Sequence, residues 1–166
     1  YPATKTMPIV DKTFGIDVPD PYRWLEDDVR VNSKVADWVA AQNAVTDAYL
    51  DQLPGREVLA KRMEKLFDYE RFGLPQKAGK RYFYMRNDGL QNQSLLYVRK
   101  GLDAKGEVLI DPNTWSDDGT VALDGWVPSK NGERLVYTEQ DGGSDWRTVR
   151  VMDVKAGKPL DDKVEW

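Results

Sequence analysis

PQKAGKRYFYMRNDG (residues 75–89) and PSKNGERLVYTEQDG (residues 128–142) align with each other along the same chain. A shift of 53 residues sets Pro75 on Pro128, Lys77 on Lys130, Gly79 on Gly132 and Arg81 on Arg134, then Tyr84 on Tyr137, Asp88 on Asp141 and Gly89 on Gly142. Seven of fifteen positions are identical, where average composition gives about one by chance. Each copy reads as a strand end, a turn, a strand and a second turn.

Working outward, short runs rich in β-formers recur between turn signals: Tyr82–Met85, Leu95–Val98, Val108–Ile110, Thr120–Leu123, Leu135–Thr138 and Thr148–Met152. Asn87-Asp88-Gly89, Asn131-Gly132 and Asp141-Gly142-Gly143 separate them, which predicts antiparallel hairpins. A candidate fourth strand follows in each copy, Val108–Ile110 in the first and the region after Pro159 in the second. A period near 50 with about four short strands per unit is the signature of a propeller blade. The competing reading is an ordinary all-β sheet whose hairpins look alike. A blade covers its faces only with neighbouring blades, and closure takes about 4–8 of them. Two blades alone would expose apolar faces and sheet edges. The chain is therefore expected to be the N-terminal piece of a longer polypeptide.

Residues 20–70 read differently. Asp20 is placed as a helix N-cap with Pro21 at the first helical position, where its missing N–H costs nothing. A long helix is predicted from about Ser33 to Leu53, with Val35, Trp38, Val39, Val45 and Tyr49 near one face, stopped by Pro54-Gly55. A third helix carries Leu59, Met63, Leu66 and Phe67 at i, i+4, i+7, i+8 spacing.

Composition narrows the chemistry. Hydrophobic residues make up 40%, charged residues 31%, and the net charge is −4 with both signs interspersed. This is a soluble globular composition, expected to be cytoplasmic or periplasmic, with no basic face for nucleic acid and no run of ~20 apolar residues for a membrane. There is no cysteine and no histidine. A Ser-His-Asp triad needs an imidazole as proton shuttle, and most zinc sites use imidazole or thiolate. No cofactor and no metal site are expected.

Three local motifs fail on inspection. Glu26, Asp27 and Asp28 read as a solvated acidic stretch favoured near a helix N-terminus. DPNTWSDDGT (111–120) lacks the glycine and glutamate of a calcium loop, having Ser116 and Ala122 there. In GGSDW (142–146) the last position is Trp146 rather than the glycine of a nucleophile elbow, so Ser144 reads as a turn residue. Asn92-Gln93-Ser94 matches a glycosylation sequon, a weak signal without a secretory context. The aromatics Tyr82, Phe83, Tyr84, Tyr97, Trp126 and Trp146 are expected to pack blade on blade.

Five segments in order then resemble the N-terminal portion of the prolyl oligopeptidase family: DPYRWLEDD (20–28), DWVAAQNAVTDAYL (37–50), GLQNQSLLYV (89–98), SDDGTVAL (116–123) and GSDWRTVRVMDV (143–154). The GLQNQ segment favours this family over oligopeptidase B and the dipeptidyl peptidases, which share the architecture. The resemblance implies an α+β fragment of a serine peptidase with a seven-bladed β-propeller over an α/β-hydrolase domain. Residues 1–70 would be a helical segment packing on that catalytic domain, with Tyr22, Trp24 and Leu25 as its docking face. Residues 71–166 would form the first two four-stranded antiparallel blades.

The triad would lie outside this chain, which by itself is expected to be inactive. Implied partners are the remainder of the same polypeptide and short proline-containing peptides, in a monomeric parent. The family's acid in the GSDW turn, here Asp145, implies a position at the substrate cleft, near a substrate-binding arginine of the catalytic domain. Against that stands the plainer reading, that Asp145 only shapes a hairpin turn. A stand-alone propeller used for binding, or another member of the same peptidase group, remains the alternative at this point.

Overall fold

The computed structural model describes residues 1–165; Trp166, the end of the expected second blade, lies outside the described residues. Packing divides the chain after Lys61 into two units.

The first unit opens with a hairpin that the sequence reading did not foresee. Strands β1 (Val10–Thr13) and β2 (Ile16–Pro19) pair antiparallel, with Thr13 opposite Ile16. Phe14 and Gly15 form the turn at φ 51° and 80°. Positive φ at both central residues is the geometry whose twist matches a two-residue hairpin. Phe14 holds the first of them, where Asn or Gly is usual, so the turn carries no standard sequence signal.

DPYRWLEDD is not an Asp20-capped helix. The helical part is a single 3-10 turn, Arg23–Glu26, with Tyr22 at the cap position and no side-chain cap bond. Asp20 is diverted because its carboxylate accepts from Arg23 Nε at 2.5 Å, while Arg23 also reaches Asp11. Pro21 therefore sits in the turn before the helical residues. Trp24, expected on the docking face, is half-buried within the first unit. Its indole donates to the Lys5 carbonyl at 2.9 Å and its ring meets Trp38 edge-on at 6.5 Å.

Helix α1 (Ser33–Asp51) has Asn32 as N-cap, its side-chain oxygen accepting from the Lys34 N–H. Val35 is its buried residue, and Trp38 packs beside it with its indole N–H on Thr4. Farther along, Val45 and Tyr49 are exposed. Helix α2 (Arg56–Phe67) follows the Pro54-Gly55 break, and its stripe of Leu59, Met63, Leu66 and Phe67 is likewise exposed.

The acids of this segment are engaged locally. Asp27 accepts from the Asn32 amide at 2.7 Å. Asp28 accepts from the Arg30 backbone N–H and from its guanidinium, both at 2.8 Å. Those bonds hold Asp28 down from 3.8 to about 2. A depressed carboxylate stabilises the fold above its unfolded value and ceases to do so as pH falls through its folded one. The expected result is a carboxyl resonance of Asp28 that titrates near 2, returning toward 3.8 in Arg30→Ala, as read by 13C NMR.

The second unit contains two antiparallel sheets. In the first, β5 (Arg81–Asn87), β6 (Leu95–Lys100) and β7 (Glu107–Ile110) lie side by side. Beyond β5 runs an interrupted edge made of β3 (Arg71–Phe72) and β4 (Gln76–Ala78), both paired to β5. Gly73-Leu74-Pro75 breaks that edge, as expected where proline cannot donate to a ladder. The second sheet has the order β11-β10-β9-β8, from β8 (Val121–Pro128), β9 (Arg134–Asp141), β10 (Arg147–Asp153) and β11 (Lys158–Glu165).

The 53-residue shift carries β5 onto β9 and β6 onto β10 in register. Tyr82 faces Arg99 in the first sheet, and their counterparts Leu135 and Met152 face each other in the second. The sheets share one core, in which Phe83, Leu96 and Leu135 have no exposed surface and Ile110, Tyr137 and Met152 join them. Phe83 meets Trp126 at 6.4 Å, and Trp115 stacks on Tyr137 at 6.0 Å. Trp115, inside the DPNTWSDDGT stretch, is thus a packing residue. Asp111 caps the 3-10 turn Pro112–Thr114, and Asp118 accepts from Thr120.

Candidate substrate-cleft loop

Three loops meet at one end of the two sheets. They are the β5–β6 loop, the β7–β8 connection and the β9–β10 loop. Gln93 exchanges backbone and amide bonds with Asn113 at 2.8 and 3.0 Å, and its side chain donates to the Val121 carbonyl at 2.7 Å. Asn92 donates to the Gly119 carbonyl at 3.2 Å, and Gly142 N–H reaches Thr120 O at 3.2 Å. The GLQNQ segment is therefore a brace. Its sequon amide, Asn92 Nδ2, is already a donor in that brace.

The β9–β10 loop carries Asp145. Ser144 N–H bonds the Asp141 carbonyl at 2.9 Å, and Ser144 Oγ accepts from Trp146 N–H at 3.1 Å. Gln140 donates to the Ser144 carbonyl at 2.7 Å. The hydroxyl thus serves the turn. Arg147 closes the loop from below: its Nη1 donates to the Asp145 carbonyl at 2.9 Å and its Nε to Asp124 at 2.6 Å. Asp124 sits where the β8 register slips between Leu123 and Gly125, and such a bulge re-aims a side chain. The Arg147 guanidinium holds the Asp124 carboxyl below its usual range.

These supports fix the backbone of Asp145 and leave its side chain exposed. Trp146 corrects an expectation. It is not blade packing but stands 76% exposed beside Asp145, because it belongs to the loop and not to a strand. Arg147 and Asp124 were not singled out from sequence; the Asp124-Gly125 pair inside an apolar run was the available sign of a bulge. Among the described residues no group of three or more acids is arranged to hold a metal.

The whole chain, residues 1–166, matches the family described as prolyl oligopeptidase, N-terminal beta-propeller domain. The chain belongs to the prolyl oligopeptidase family. It is 41% identical over 162 residues to the prolyl endopeptidase of Elizabethkingia meningoseptica, covering 98% of this chain and 23% of that protein. The prolyl endopeptidase of Dictyostelium discoideum is 31% identical over 175 residues, covering 93% and 23%. A solved prolyl endopeptidase structure superposes with a TM-score of 0.83 at 38% identity, covering 99% of this chain and 24% of that one. Prolyl oligopeptidase B of Galerina marginata, bound to a 25mer macrocyclization substrate, gives a TM-score of 0.73 at 29% identity, covering all of this chain and 26% of that one.

The part present is the non-catalytic N-terminal domain of prolyl oligopeptidases, which are serine peptidases. Having no histidine, it cannot by itself assemble a Ser-His-Asp triad. No described helix is long and apolar enough to cross a membrane.

Proposed function

We propose that this chain is the scaffold and gate of a serine-type prolyl endopeptidase that cleaves short peptides after proline. Residues 71–166 are the first two blades of a seven-bladed propeller that restricts substrate size. Residues 1–70 pack on an α/β-hydrolase domain supplied by the same polypeptide, and the parent acts as a monomer. The observation that carries the reading is the outward face of the second sheet. Val127, Val136 and Val164 are 62%, 41% and 59% exposed there. By the 53-residue shift, Val136 and Val151 are the counterparts of Phe83 and Val98, which lie on the face that the second sheet covers in the first. The repeat thus presents the same kind of face again, ready for a further blade. On the first unit, exposed Phe14, Ile16 and Tyr49 suit a docked domain in the same way.

Asp145 is the proposed cleft residue, an exposed carboxylate on a braced loop. Its partner would be the cationic substrate-binding residue of the catalytic domain. An exposed pair of this kind contributes up to about 1 kcal/mol, so Asp145→Asn in the whole enzyme is expected to raise KM for short proline peptides roughly fivefold. Its Tm should change little, because among the described residues the side chain is exposed and adds only its charge beside Arg147. The test is kcat and KM across pH. Identical profiles for Asp145→Asn and wild type would remove Asp145 from the cleft.

A further inference from the structure

The 53-residue repeat keeps an arginine and changes what faces it. In the second sheet Arg134 stands opposite Asp153 in register, and its Nη1 pairs with that carboxylate at 2.5 Å. The same two places in the first sheet hold Arg81 and Lys100, again directly opposite one another. Like charges set opposite across an antiparallel pair are destabilising, so the first sheet has a repulsion where the second has an ion pair. Other arginines of the second unit are answered, Arg86 by Glu70 and Arg147 by Asp124. Arg81 has no carboxylate partner among the described residues. Its Nη1 donates to the Gly132 carbonyl at 3.1 Å, a neutral acceptor that holds the guanidinium in place and leaves its charge uncompensated.

A cavity of about 170 Å³ opens at this point, at the end of the sheets opposite the Asp145 loop. Arg81 and Lys100 line it from β5 and β6, Lys105 from the β6–β7 loop, and Lys155 from the β10–β11 turn of the other sheet. Arg99 borders it too, but its guanidinium is taken up by the rings of Tyr84 and Tyr82, at 5.4 and 5.9 Å. Glu107 is the single carboxylate of the lining, and it is exposed. Among the described residues neither Glu107 nor any of the three lysines forms an ion pair. Every lining residue belongs to the second unit. A chain with a net charge of −4 thus gathers four uncompensated cations around one space.

We infer that this cavity binds a phosphate group, as the free anion or as the head of a small phosphate ester, between the two sheets. A phosphate has more acceptor oxygens than a carboxylate. An arginine fork can take two of them, and lysines take the others as point charges. The space suits it, since one water needs only about 10–15 Å³ of such room, and an oxyanion enters with waters to spare. Once bound, the anion turns the repulsion between Arg81 and Lys100 into a shared attraction. It also ties the first sheet to the turn that carries Lys155. The ligand does for the first sheet what Asp153 does for the second.

The test uses the whole polypeptide in phosphate-free buffer, with ionic strength held constant because salt screens exposed charges. Inorganic phosphate at about 10 mM is expected to raise Tm by at least about 2 °C, and titration calorimetry gives its Kd. Lys100→Asp installs the residue found at the counterpart position, Asp153, and so supplies the anion permanently. It is expected to melt no lower than wild type without phosphate, to lose the phosphate response, and to bind phosphate at least about tenfold more weakly. Lys155→Gln changes an exposed turn position. It is expected to weaken binding about tenfold as well, and it keeps the test decisive if Lys100→Asp does not fold. Glycerol phosphate binding at least as tightly as inorganic phosphate assigns the site to an ester head group, whereas binding of inorganic phosphate alone assigns it to the free ion. No binding of either compound, the same response in wild type and both variants, or an equal shift with acetate overturns the inference.

Discussion

Phe83→Ala is expected to cost the blade pair about 3–5 kcal/mol, the range for removing a fully buried aromatic ring. Phe83 has no exposed surface and sits between the sheets, with Trp126 at 6.4 Å and Leu96 and Leu135 in the same cluster. Those neighbours come from three different strands held by their own ladders, so the cavity cannot collapse without breaking register. Tyr82→Ala, one residue away and on the other face, removes a larger side chain that is only half buried. It is expected to cost clearly less. Because the chain packs as two separate units, a single unfolding free energy is poorly defined. Amide exchange over β5 and β9 is the suitable measurement, since it reads the opening of this region directly. Equal protection in the two variants would mean that the sheets are not joined through Phe83.

Much of this architecture was legible because the repeat is a statement about spacing. One shift of 53 residues places β5 on β9 and β6 on β10, and the observed pairing keeps that register. The strands Leu95–Lys100 and Glu107–Ile110 and the helix Ser33–Asp51 follow from alternation and period. Failures came where local chemistry was diverted by a partner distant in sequence. Asp20 could have capped a helix, but Arg23 takes its carboxylate, and Arg23 is in turn held by Asp11. Trp24 likewise gains a partner outside its own segment, its indole donating to the Lys5 carbonyl.

The candidate site was legible only at Asp145, and there by resemblance. What shapes it is Arg147 bonded to a bulged Asp124 in a strand 23 residues earlier. No local pattern announces such a pair. Trp146 misled for a related reason: aromatic type suggests packing, whereas its place one step outside the strand decides exposure.

Gly79→Ala is the second large effect, and it tests whether the repeated glycines hold the blades together. Gly79 has φ +58°, and a Cβ built on it would stand 2.2 Å from the carbonyl oxygen of Asn131. Gly132, its counterpart, has φ +71° and would place a Cβ 2.4 Å from the carbonyl oxygen of Ala78. The two turns therefore touch backbone to backbone, and Arg81 ties them further by donating to the Gly132 carbonyl at 3.1 Å. A left-handed conformation costs an alanine about 1–2 kcal/mol, and forcing apart a packed contact adds about 1–3 kcal/mol. A total of about 3 kcal/mol is expected for Gly79→Ala. Gly157 supplies the control, with φ +63° and nothing within 4 Å of its Cβ position. Gly157→Ala carries the backbone term alone, so the difference between the variants isolates the contact between blades. Exchange protection of the β4–β5 and β8–β9 turns should fall together in Gly79→Ala, because each turn buttresses the other. If Gly79→Ala proves no more disruptive than Gly157→Ala, the turns are apart in solution, and the glycines recur only because each turn needs positive φ.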